Sequence, residues 1–283
     1  MRDYGIIANI NAENGRKQSM ITSNNNAKIK ELTAWQKKAR QRNEDGVYLV
    51  EGIRMFREAP ENEIRMAYVS ESFYNENREK LHLDDRKNKL EILSDSVYRH
   101  VSDTKTPQGA LLVMNQKKYT LEEVKKSREG RAPLLMVLDN LQDPGNLGTI
   151  LRAGEAAGVT GVILSRECVD IYNPKVIRST MGSIFRMPFI YVENLPEEVR
   201  KLSAEGIHTY AAHLKGKEDF DEKNFCEGTA FLIGNEGNGL REETAEAAEI
   251  YVKIPMCGEV ESLNAAIAAS VLMFEAARQR RNS

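Results

Sequence analysis

Short strand-like runs at Leu134–Leu138, Gly161–Leu164, Phe189–Val192, Thr209–Ala212, Ala230–Ile233 and Tyr251–Ile254 constrain this chain more than any other feature. Helical patterns separate most of them, and this alternation predicts an α/β fold with a parallel sheet. Leu134–Leu138 is apolar at every position, as expected of a strand buried on both faces of such a sheet. A last helix, expected over Leu263–Arg278, is nearly all apolar in its first half, which predicts burial rather than a surface position.

The first half of the chain predicts a second, smaller α/β unit. From Ala27 to Gln41, Ile29, Leu32, Trp35 and Ala39 recur at helical spacing, with lysines and arginines on the other side. Strands are expected at Val47–Val50, Ile64–Val69, Leu90–Leu93 and Ala110–Met114, with helical stretches at Ile53–Glu58 and Asp95–Val101. The polar, charged stretch Gln116–Pro133 separates the two regions. The expected division is a flexible leader at 1–22, a smaller domain at 23–116, a linker at 117–132 and a larger domain at 133–283.

Composition excludes several classes. No apolar run approaches the roughly 18 residues needed to cross a bilayer, and Met1–Met20 lacks the basic start and apolar stretch of a signal peptide. No membrane association and a cytoplasmic location are the expectations. Cys168, Cys226 and Cys257 are odd in number and contain no Cys-x-x-Cys pair, and the four histidines have no metal-binding spacing, so neither disulfide nor metal is expected. A net charge of −2 argues against coating nucleic acid by bulk electrostatics. Bases nevertheless outnumber acids between Arg16 and Arg54, and Arg278, Arg280 and Arg281 crowd the tail. Such runs can grip phosphates or simply form a solvated helix face.

Three stretches carry candidate chemistry. The first, Leu138-Asp139-Asn140-Leu141-Gln142-Asp143-Pro144-Gly145-Asn146-Leu147-Gly148 and on to Arg152, leaves a strand through a polar turn into a helix, at the strand end where open α/β sheets bind ligands. An ordinary βα connection with a solvated Arg152 is the competing reading. The second, Gly234-Asn235-Glu236-Gly237-Asn238-Gly239-Leu240, is glycine-rich but lacks both the P-loop lysine and the dinucleotide fingerprint; close backbone approach to a ligand, or positive φ, explains the glycines. The third, Ile254-Pro255-Met256-Cys257-Gly258 through Ser262-Leu263-Asn264, joins a strand to the last helix, with Ser262 as the expected N-cap. Asn264, an amide at an apolar helix start, needs buried partners or a ligand.

Taken in order and spacing, these stretches resemble the motifs of the SpoU/TrmH family of RNA ribose 2′-O-methyltransferases, within the SPOUT group. The resemblance covers about Pro133 to Glu275. Upstream, Asn26-Ala27-Lys28-Ile29-Lys30-Glu31-Leu32 and Tyr48-Leu49-Val50-Glu51-Gly52 look like the family's accessory RNA-binding domain, which is similar to a ribosomal-protein fold. What the resemblance implies is a trefoil knot, a homodimer, and S-adenosyl-L-methionine as the cofactor. It also implies an RNA substrate; the accessory domain favours ribosomal RNA, with transfer RNA as the alternative. By matching position it implies catalytic or RNA-binding roles for Asn146 and Arg152, an active-site acid at Glu236, and polar roles for Ser262 and Asn264. Gly234, Ile254 and Leu263 are implied as cofactor contacts. Arg186 becomes a second phosphate candidate, and Ala265-Ala266 stands where the family commonly has Val-Ser. An idle RNA-binding scaffold is the alternative from another class; a dehydrogenase or kinase would need the glycine fingerprint or P-loop that this chain lacks.

Overall fold

The computed structural model describes residues 19–86, 88–127 and 130–282, so positions 1–18 of the expected leader lie outside the described residues. The described residues form two compact units: those up to Lys117 with 172–182, and those of 118–171 with 183–282. The first unit thus takes in 172–182, which the sequence reading had placed with the larger domain.

The first unit is built on β1 (Met20–Ile21), β2 (Val47–Glu51), β3 (Ile64–Ser70), β4 (Leu90–Leu93) and β5 (Ala110–Asn115), in the order β1-β4-β3-β5-β2. The β5 strand runs antiparallel to both β2 and β3, and β4 runs parallel to β3 and β1. Met20–Ile21, expected to belong to a loose leader, are therefore already in the sheet. The basic helix starts where expected, with Asn26 accepting from the Lys28 N–H at 2.9 Å and Ile29, Leu32 and Trp35 buried. It does not run unbroken to Gln41. Lys38 is extended (φ −120°, ψ 105°), and a second helix occupies Ala39–Asp45. Tertiary bonds explain the break: Trp35 Nε1 donates to Asp45 at 2.6 Å, and buried Arg42 donates to the Trp35 carbonyl at 2.7 Å, folding the second helix back onto the first. In the 172–182 segment, Tyr172 stacks on Tyr48 with ring centroids 4.6 Å apart, and Arg178 on the helix Pro174–Thr180 pairs with Asp103 at 2.7 Å.

The second unit holds β6 (Leu134–Leu138), β7 (Gly161–Ser165), β8 (Phe189–Val192), β9 (His208–Ala212), β10 (Glu218–Asp219), β11 (Thr229–Ile233) and β12 (Ile250–Lys253). Their order is β10-β12-β9-β11-β6-β7-β8, and every pairing is parallel. The predicted parallel sheet is present. Every residue of β6, β7 and β11 is buried, as the apolar sequence of β6 required. Each large apolar side chain so buried contributes about 1.5–3 kcal/mol, which makes the sheet a rigid frame for the loops at its edge. The last helix occupies Ala265–Asn282 and packs on the helix Pro144–Ala157 and on β11, burying Ala266, Ala269, Leu272, Met273 and Ala276. Its burial is one-sided, because Ile267 and Phe274 remain 54% and 45% exposed. Among the described residues no helix is long and apolar enough to cross a membrane.

Candidate active site

Pairing of β6 with β11, Leu138 opposite Ile233, sends the first two motifs out of the sheet side by side. At the end of β6 the chain turns sharply at Asn140, which is left-handed (φ 54°). Three bonds hold that conformation: its N–H donates to Ser165 Oγ at 3.0 Å, its carbonyl accepts from Asn235 Nδ2 at 2.9 Å, and its side chain accepts from Gln142 Nε2 at 2.7 Å. The turn delivers Asp143 to the N-cap of the helix Pro144–Ala157, where its carboxylate accepts from the Asn146 N–H at 2.8 Å, and Pro144 occupies the first helical position.

The glycine-rich loop is closed on itself. Asn235 and Gly239 exchange two backbone hydrogen bonds of 2.9 Å, and the Asn235 side chain accepts from the N–H groups of Gly237 and Asn238. A Cβ on Gly234 would stand 2.0 Å from the Gly239 carbonyl carbon, so the glycine is required by the loop's own backbone.

Glu236 on this loop meets the first motif directly. Its carboxylate accepts from the N–H of Gln142 at 3.1 Å, from the N–H of Asp143 at 2.8 Å and from Asn146 Nδ2 at 3.0 Å. Partial burial alone would raise its pKa, but the donation from Asn146 and from the backbone N–H groups outweighs that and holds the carboxyl below its usual range. Glu236 is therefore an anion at neutral pH and a weak base, suited to clamping two loops rather than carrying a proton.

The third motif joins through Asn264. Its Nδ2 donates to Asn146 Oδ1 at 3.0 Å, while its Oδ1 accepts from the N–H groups of Ala266 and Ile267 at 2.9 and 3.3 Å. Asn264, not Ser262, thus caps the last helix. The cap also accounts for an amide at an apolar helix start. Asn146 sits between the other two, giving to Glu236 and accepting from Asn264.

Of the site residues expected from sequence, the structure bonds Asn146, Glu236 and Asn264 to one another. Arg152 lies further along the same helix as Asn146, exposed and without a hydrogen bond or ion pair among the described residues. Ser262 is exposed in the loop before the last helix and likewise makes no bond. Gly234 is buried, and Ile254 and Leu263 are partly buried, beyond the ends of β11 and β12. Arg186 is engaged by Glu155, which also accepts from Ser183 Oγ at 2.6 Å. Asn235, Gln142 and the Asp139–Arg241 pair were missed. A charged residue directly after a wholly apolar strand was the available signal for Asp139, since such a group must find a partner.

Residues 255–263 make no hydrogen bond to any described residue. Their backbone donors and acceptors are left to solvent or to a ligand, beside a Gly234 loop whose own backbone bonds are largely made within the loop.

The parallel α/β unit gathers its polar side chains at the carboxyl edge of the sheet, where open α/β enzymes bind small ligands. Residues 133–274 match the SpoU rRNA Methylase family, and residues 26–112 match the MRM3-like substrate binding domain. The chain belongs to the SpoU rRNA methylase family. It is 36% identical to an uncharacterized tRNA/rRNA methyltransferase of Synechocystis over 67% of each chain. It is 34% identical to a 23S rRNA (guanosine(2553)-2′-O)-methyltransferase of Bacillus subtilis, over 65% of this chain and 70% of that one. The crystal structure of an AdoMet-bound rRNA methyltransferase from Sinorhizobium meliloti superposes with a TM-score of 0.79 at 27% identity, covering 92% of this chain and 97% of that one.

Proposed function

We propose that this chain transfers the methyl group of S-adenosyl-L-methionine to a ribose 2′-hydroxyl of ribosomal RNA. It is an S-adenosylmethionine-dependent RNA 2′-O-methyltransferase, in keeping with its family and with the cofactor-bound rRNA methyltransferase it resembles. The observation that carries the reading is the Glu236–Asn146–Asn264 chain, in which one amide ties together all three motifs.

When bound, the cofactor would supply a methyl group on a sulfonium: the carbon–sulfur bond breaks as the ribose 2′-oxygen bonds to carbon in line with it, S-adenosylhomocysteine leaves, and the hydroxyl proton passes to solvent. Orientation therefore dominates the catalysis. The Glu236 clamp fixes the start of the helix Pro144–Ala157, and with it Asn146 and Arg152. Arg152, planar, permanently charged and free to reach out, takes the phosphate beside the target ribose and holds the 2′-hydroxyl in line. Gly234, Ile254 and Leu263 hold the cofactor through backbone groups, and Ser262 offers its hydroxyl to the substrate or cofactor. The first unit captures the RNA, a role supported by the substrate-binding-domain match. The trefoil knot and a cytoplasmic location belong to the same reading.

S-adenosylhomocysteine titrated into the purified protein is the first test. Calorimetry is expected to give saturable binding without added metal. No binding of either S-adenosyl compound would favour the idle RNA-binding scaffold.

The reading includes a homodimer formed through the last helix. Ile267, Val271 and Phe274 lie at i, i+4 and i+7, a stripe of exposed or half-exposed apolar groups opposite the face buried on Pro144–Ala157. Light scattering is expected to show a dimer at micromolar concentration, and the double variant Ile267→Glu, Phe274→Glu a monomer. A fully active wild-type monomer would refute the assignment.

A further inference from the structure

Asp139 is the first residue after β6, and it is 0% exposed. A carboxylate leaves water at high cost unless it is both paired and hydrogen-bonded. Arg241, the first residue after the glycine-rich loop, meets both requirements. Its backbone N–H donates to Asp139 Oδ2 at 3.1 Å, its Nε donates to Oδ1 at 2.8 Å, and its Nη2 stands 2.5 Å from the same oxygen. The guanidinium also reaches Glu167 at 3.4 Å, in the turn after β7. One residue therefore anchors the far end of the loop by main chain and side chain together. The near end is held by Asn235, whose amide donates to the Asn140 carbonyl. Both anchors grip consecutive residues of the β6 turn, and Glu236 lies between them.

We propose that Asp139 and Arg241 are positioning residues for methyl transfer: their buried ion pair fixes the exit of the 234–240 loop against the β6 turn. Glu236 then stays in register with Gln142, Asp143 and Asn146, and the Gly234 backbone stays in place for the cofactor. This rests on the methyltransferase reading above. Neither residue need touch substrate or cofactor. Each acts through Glu236 and through the loop's own backbone. Without the guanidinium, the loop exit keeps only its backbone N–H as a bond to Asp139, and a buried carboxylate is left without its counter-charge. Loop and turn are then free to shift relative to one another, and a misplacement of about 1 Å in such a site can cost ~10²-fold in rate.

The test uses the full chain and three proteins: wild type, Arg241→Ala and Arg241→Lys. Amide hydrogen exchange, which needs no activity, is measured first. In Arg241→Ala the amides of 235–240 and 142–146 are expected to exchange at least about tenfold faster, with those of β6 and β11 unchanged. Single-turnover transfer is then measured across S-adenosylmethionine concentrations. Arg241→Ala is expected to raise the apparent KM for S-adenosylmethionine and lower the maximal rate, each by about 10- to 10²-fold. Arg241→Lys is expected to recover much of both, because it restores the charge beside Asp139. Unchanged loop exchange in Arg241→Ala would overturn the proposal. So would uniform acceleration across the unit, which marks general destabilisation, or a lysine variant no better than alanine. The wild-type rate on RNA speaks for the methyltransferase reading; the exchange pattern and the variant ratios speak for this one.

Discussion

Arg152→Ala is expected to lower the single-turnover rate of methyl transfer by at least about 10²-fold, equivalent to ~2.7 kcal/mol of transition-state stabilisation, while leaving S-adenosylhomocysteine affinity and oligomeric state unchanged. Structure makes this a clean experiment. Arg152 is exposed and unbonded among the described residues, so its removal breaks nothing in the folded chain and is expected to change stability by no more than about 0.5 kcal/mol. What is lost is a planar fork for a phosphate and the group that orients the 2′-hydroxyl. Arg152→Lys is expected to rescue poorly, because an ammonium keeps the charge but not the fork. A solvated arginine without function predicts no loss of rate, and an active Arg152→Ala protein would remove it from the mechanism.

Glu236→Gln is expected to cost about 10- to 10²-fold in rate and to weaken cofactor binding as well. The carboxylate accepts four hydrogen bonds, two of them from the N–H groups of Gln142 and Asp143 and two from the side-chain amides of Asn146 and Asn235. An amide offers one oxygen, and its NH₂ faces a donor it cannot pair with, whereas charge-assisted bonds to a carboxylate are the stronger kind. The acid side of the stability profile gives a second readout. The folded-state pKa of Glu236 lies below its unfolded value, so its contribution is complete above the ordinary carboxylate pKa, near 4.3, and is lost as pH falls through the lowered folded value. The stability difference between wild type and Glu236→Gln should therefore be constant near neutrality and shrink on acidification. A difference that grows toward acid would contradict the clamp.

Much of the frame was legible because its signals are local. Leu134–Leu138 reads as a strand from five apolar residues, and the helices Ile53–Glu58 and Asp95–Val101 fall where their patterns placed them. Motif order brought out Asn146, Glu236 and Asn264, which the fold bonds together. The misses depend on partners distant in sequence. The break at Lys38 is set by bonds from Trp35 and Arg42 across the turn, against a pattern that is helical throughout. Ser262 carries a good capping side chain, but a cap is decided by which residue stands over the free N–H groups, and that is Asn264. Asp139 and Arg241 lie 102 residues apart, joined only because β6 pairs with β11. The antiparallel run of β5 against β2 and β3 is a matter of strand direction, which strand composition does not encode.

The most direct test of the central claim is to incubate the purified protein with methyl-labelled S-adenosylmethionine and ribosomal RNA, digest the RNA to nucleosides and locate the label. The account predicts label in a single 2′-O-methylated nucleoside, absent when Arg152→Ala replaces the wild type. Label on a base, label in transfer RNA alone, or no transfer to either RNA would contradict it.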